Sequence, residues 1–72
     1  MDTGYWIEKG LIWGPKCSGE YWIDGRFIWG PRNAGKFWIE DSHIYGPNGG
    51  SGRFWIRSGR IYGPTKNLPW LE

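Results

Sequence analysis

Residues 54–64, FWIRSGRIYGP, open on two aromatics and an isoleucine, pass through a polar tip and close on Ile-Tyr-Gly-Pro. The same pattern stands at 5–15 (YWIEKGLIWGP), 21–31 (YWIDGRFIWGP) and 37–47 (FWIEDSHIYGP), so the units begin 16, 16 and 17 residues apart. A fixed internal period is the sequence signature of a repeat architecture, and it constrains the fold before any single residue does. Each unit is too short for two helices and a loop, and its Gly and Pro would break a helix. A β-hairpin with a two-residue turn fits all four copies. In the first, Lys9–Gly10 forms the tip and Glu8 faces Leu11, Ile7 faces Ile12, Trp6 faces Trp13 and Tyr5 faces Gly14. The other tips fall at Gly25–Arg26, Asp41–Ser42 and Ser58–Gly59. Glycine supplies the positive φ that such turns require, so Asp41–Ser42 is the poorest fit. Pro cannot donate to a ladder, so the closing Gly-Pro ends each second strand.

Successive side chains in a strand alternate between its two faces. One face of every hairpin carries the leading Tyr or Phe, both Ile and the closing Gly, and is apolar in all four copies. The other carries an aromatic pair at its base (Trp6/Trp13, Trp22/Trp29, Trp38/Tyr45, Trp55/Tyr62) and mixed residues near the tip. The first face is therefore the expected interior, with Ile7, Ile12 and their equivalents at its core. A single hairpin is barely stable in water, so the four must pack together. Closure removes the strand edges that invite aggregation. The expected fold is all-β: one domain over 1–72, four hairpin repeats in a pseudo-fourfold closed ring or shallow barrel. A C-terminal tail, 65–72, should cover one end through Leu68, Trp70 and Leu71.

Composition agrees with a small aromatic core. A chain of 72 residues buries only ~60% of its unfolded surface and needs some further source of stability. Cys17 is the only cysteine, so no disulfide forms within the chain, and one His beside one Cys falls short of a zinc ligand set. Seven Trp, four Tyr and three Phe supply the buried mass instead. No segment is long and apolar enough for a membrane span. The N-terminus lacks the features of a secretory signal, and with an unpaired Cys the expected location is cytoplasmic.

The unit YWIxxGxIYGP and the closing NLPWL (67–71) resemble the four-fold β-flower proteins, small bacterial and phage proteins. The resemblance spans Gly4 to Leu71 and implies a petal-like ring of hairpins around a central apolar channel, without implying an activity. Trp13 and Trp29 depart from it where the later copies carry Tyr, and the third copy lacks a tip glycine.

Catalysis has little support. Cys17 and His43 show no dyad spacing and no orienting third group. The glycines follow turn logic rather than a phosphate loop, so no cofactor is expected. Glu8, Asp24 and Glu40 occupy equivalent positions, but Arg57 replaces them in the fourth copy, which reads as a solvated or salt-bridged rim. The aromatics are the candidate site: Trp6, Trp22, Trp38 and Trp55 first, then Trp13, Trp29, Tyr45 and Tyr62. Exposed aromatic patches mark binding surfaces. The expectation is a non-catalytic module holding an apolar or amphipathic ligand in a Trp-lined central pocket. Two alternatives stay open. One is a protein–protein interaction or assembly module of phage or bacterial origin, with a protein partner or an oligomer possible. The other is single-stranded nucleic-acid binding through Arg26, Arg32, Arg53, Arg57 and Arg60, which the interspersed charges disfavour.

Overall fold

The computed structural model describes residues 1–48 and 50–71; Gly49 in the third inter-hairpin loop and Glu72 at the end of the tail lie outside the described residues. Eight antiparallel strands follow one another around a closed barrel: β1 (Asp2–Glu8), β2 (Leu11–Trp13), β3 (Tyr21–Asp24), β4 (Phe27–Trp29), β5 (Phe37–Glu40), β6 (His43–Tyr45), β7 (Ser51–Arg57) and β8 (Arg60–Tyr62). Within each hairpin the register is the one read from the repeat: Ile7 faces Ile12, Ile23 faces Ile28, Ile39 faces Ile44 and Ile56 faces Ile61. All four tips are two-residue turns. Lys9, Gly10, Ser58 and Gly59 have the paired positive φ of a type I′ turn, and so do Asp41 and Ser42 at 50° and 66°. The third tip therefore takes a left-handed conformation at two residues with side chains, which costs about 1–2 kcal/mol each.

Neighbouring hairpins are stitched by the same bond four times. The backbone amide of each first isoleucine donates to the tip of the adjacent hairpin: Ile7 to Gly59, Ile23 to Gly10, Ile39 to Arg26 and Ile56 to Ser42, at 2.7–2.8 Å. The first repeat closes on the last through a longer β1. Met1 and Gly63 exchange two bonds, Asp2 pairs with Arg60, and the buried Thr3 hydroxyl donates to the Ile61 carbonyl at 2.7 Å. In the first two loops the amides of Gly19 and Gly35 donate to the equivalent carbonyls of Ile12 and Ile28. A side chain at the barrel's closing seam thus does the work that a backbone amide does elsewhere.

An eight-stranded barrel has an interior just wide enough for side chains to fill. Here Tyr5, Tyr21, Phe37 and Phe54 fill it together with Ile12, Ile28, Ile44 and Ile61, each no more than 4% exposed. The sequence reading needs two corrections. The first isoleucines (Ile7, Ile23, Ile39, Ile56) are only half-buried and pack against this core rather than forming it. The central apolar channel implied by the family resemblance is occupied, because four leading aromatics and four second isoleucines meet inside. The closing glycines make this possible. A Cβ at Gly14, Gly30, Gly46 or Gly63 would overlap the ring of Tyr5, Tyr21, Phe37 or Phe54, so each leading aromatic lies flat against bare backbone. The Gly of Gly-Pro is there for packing as well as for ending the strand.

The tail plugs one end as expected. Leu68 and Trp70 are fully buried, Leu71 is half-buried, and a 3₁₀ turn spans Pro69–Leu71. Trp70 meets Phe37 edge-on with ring centroids 6.0 Å apart. Its carbonyl accepts from Asn33 Nδ2 at 2.9 Å, so the second inter-hairpin loop clasps the plug.

Candidate functional site: the outer aromatic wall

Because the leading aromatic of each unit points inward, the Trp that follows must point outward. Trp6, Trp22, Trp38 and Trp55 line the outside of the barrel, and the expected Trp-lined central pocket is corrected accordingly. The cause is the pleat together with a filled interior. Trp13, Trp29, Tyr45 and Tyr62 share that outer face as cross-strand partners. Pairing between hairpins extends the row, for Leu11 lies opposite Trp22, Phe27 opposite Trp38, and His43 opposite Trp55. The eight candidate residues thus belong to one continuous band around the barrel.

The band is not uniform. Trp38 stacks on Tyr45 (centroids 6.1 Å, planes 24° apart) and Trp55 on Tyr62 (5.9 Å, 13°), and His43 tilts against Trp55. These indole faces are already taken. Trp6 and Trp22 are in no ring pair among the described residues, and they are 36% and 44% exposed, with Phe27 at 40%. Trp13 and Trp29 are half-buried instead, lying over Gly19 and Gly35 where a Cβ would come within 3 Å of the ring. Trp13 Nε1 also donates to the Glu8 carbonyl at 3.2 Å. The accessible part of the wall is therefore the stretch from Trp6 across Leu11 and Trp22 to Phe27.

Charge around the wall is mixed. Glu8, Asp24 and Glu40 are exposed at the strand ends and make no ion pair among the described residues, so the rim is solvated rather than salt-bridged. Among the described residues an ion pair joins Arg60 Nε to Asp2 Oδ2 at 2.8 Å. Asp2 Oδ1 in turn accepts the Gly4 amide, and these two bonds, the guanidinium's first, hold the Asp2 carboxyl below its ordinary range. His43 is more constrained than a surface histidine: its Nδ1 lies 2.9 Å from the Gly52 carbonyl, which accepts from it. Cys17 is an exposed thiol in the first loop, with a left-handed backbone. Inside the barrel, burial pushes the Tyr5 and Tyr21 phenols up, partly offset by backbone hydrogen bonds at Lys16 and Arg32.

The register and the tip positions locate the aromatic band from sequence alone. The split between stacked and free indoles does not show there, since it depends on side-chain rotamers. Among the described residues no helix is long and apolar enough to cross a membrane. No protein-family model, curated protein or solved structure matches this chain.

Proposed function

We propose that this chain is a small non-catalytic binding module whose outer aromatic wall captures an apolar or amphipathic ligand. The observation that carries the reading is the trio of exposed rings Trp6, Trp22 and Phe27, linked by the half-buried Leu11, which lies opposite Trp22 and diagonal to Trp6; neither Trp is in a ring pair among the described residues. Large apolar side chains held on the outside of a barrel with a complete core contribute little to folding, and such patches are typical of interaction surfaces. Membership of the four-fold β-flower group is part of the same proposal, supported by the closed ring of four hairpins.

The test is a tryptophan fluorescence titration with detergent monomers, phospholipid vesicles and oligosaccharides. A saturable change that is lost in Trp22→Ala and weakened in Phe27→Ala supports the reading. Flat responses to every class overturn it. Self-association through the same wall is the competing reading. It is recognised by a solution mass that rises with protein concentration and is reset to monomer by Trp22→Ala.

A further inference from the structure

Four junctions between neighbouring hairpins share one backbone, but their side chains differ. At three of them the residue opposite the leading Trp is Leu11, Phe27 or His43. At the seam where β8 meets β1 it is Arg60, which lies opposite Trp6. That seam carries a cavity of about 350 Å³ lined by Trp6, Ile7, Glu8, Ser58, Gly59 and Arg60. It alone combines an indole without a ring partner, a carboxylate and a guanidinium.

The guanidinium is positioned in advance. Asp2 holds Arg60 Nε and is itself fixed by the Gly4 amide. Among the described residues the terminal guanidinium nitrogens make no hydrogen bond or ion pair. The floor is rigid as well, because the Ile7 amide donates to the Gly59 carbonyl at 2.7 Å.

From these residues we infer that the β8–β1 seam is a saccharide subsite, taking one neutral hexopyranose unit. This rests on the binding-module reading above and names a ligand class and a place for it. A pyranose ring has an apolar C–H face that packs on an aromatic ring, and an edge of hydroxyls that both donate and accept. Trp6 offers the platform. Glu8 accepts hydroxyl protons, Arg60 donates to hydroxyl oxygens, and the Ser58 hydroxyl does either. Hydrogen bonds to charged partners are the stronger kind, which suits a ligand with no charge of its own. The lining holds one residue of each charge, Glu8 and Arg60, so neither an anionic nor a cationic ligand is favoured over a neutral one. The mouth is open and the unit small, so affinity for one sugar is expected on the order of millimolar.

The experiment follows indole and Arg side-chain signals in ¹H–¹⁵N spectra of the intact chain. The probes are methyl glucopyranoside, galactopyranoside, mannopyranoside and N-acetylglucosaminide. At least one should move the Trp6 indole and Arg60 Nε–H signals saturably. Trp6→Ala should weaken that binding at least tenfold, and Glu8→Gln and Arg60→Gln about three- to tenfold each. Arg53→Gln, which removes a guanidinium away from the seam, should leave it unchanged. Retention of full affinity in Trp6→Ala, with backbone signals still dispersed, overturns the inference, as does a change confined to other Trp signals. If detergents or vesicles bind at Trp22 while no glycoside moves Trp6, the seam proposal fails and the binding-module reading stands. If no ligand class moves any outer Trp, both fail.

Discussion

Hairpins one and two differ from hairpins three and four by an exchange of aromatics across the sheet. The first pair places Tyr5 and Tyr21 inside and Trp13 and Trp29 outside; the second places Phe37 and Phe54 inside and Tyr45 and Tyr62 outside. The backbone register is indifferent to the exchange. The surface is not, for Trp38 and Trp55 lie stacked on tyrosines while Trp6 and Trp22 are left open. Repeat symmetry thus specifies the skeleton, and one aromatic position per hairpin sets what the wall offers to a ligand.

The largest effects should be blind to this difference. Ile28→Ala and Ile44→Ala, one from each half, should each cost about 2–5 kcal/mol, read from denaturation midpoints. Both residues are 1% exposed, so unequal losses would break the equivalence of the two halves. Ile39→Ala should cost less than Ile44→Ala, because Ile39 is only half-buried. Gly30→Ala and Gly63→Ala form a second matched pair. Each forces a methyl into a buried aromatic ring and should cost about 1–3 kcal/mol as overpacking.

Smaller effects should separate the halves. Trp55→Ala loses a stacked partner worth about 0.5–1.5 kcal/mol beyond its burial, whereas Trp22→Ala removes a ring that is already 44% exposed and unstacked. Equal stability losses would show that the stacks contribute nothing. At the third tip, Asp41→Asn with Ser42→Gly should stabilise by about 1 kcal/mol, since Asn-Gly suits the type I′ turn that these residues already adopt.

Titration gives the finest comparison. The Tyr5 and Tyr21 phenols are raised above their ordinary value of 10.0, so the fold favours their neutral form. Their contribution is complete below pH 10.0 and is lost as pH rises through the raised values. Tyr5→Phe combined with Tyr21→Phe makes the first half resemble the second and should blunt the alkaline loss of stability. Asp2 behaves in the opposite sense: its lowered value means its contribution is present above 3.8 and fades as pH falls through the folded value. Asp2→Asn should remove that acid dependence, and an unchanged acid limb would deny the seam ion pair any role.

Much of this molecule is legible in its residues because hairpin physics is local. Turn length and the period of two fix cross-strand partners and sort Tyr5 from Trp6 without any long-range information. The candidate wall was legible in the same way, as a row of Trp and Tyr on one face. Its location on the outside, and the depth difference between Ile7 and Ile12, were harder to read. Both depend on how far along the barrel axis a residue falls and on whether the interior is already full.

By itself the sequence determined four hairpins, their register, their two faces and a tail rich enough in apolar residues to cap an end. Tertiary structure decided what happens when those hairpins close. Leading aromatics fill the barrel by lying on bare glycine backbone, so the tryptophans are excluded to the outside. Met1, Asp2 and Thr3 complete a seam that brings Trp6, Glu8, Ser58 and Arg60 to one cavity. No local rule places residue 6 beside residue 60. Closure of the ring does, because the unpaired edges of the first and last strands are most stable when paired with each other.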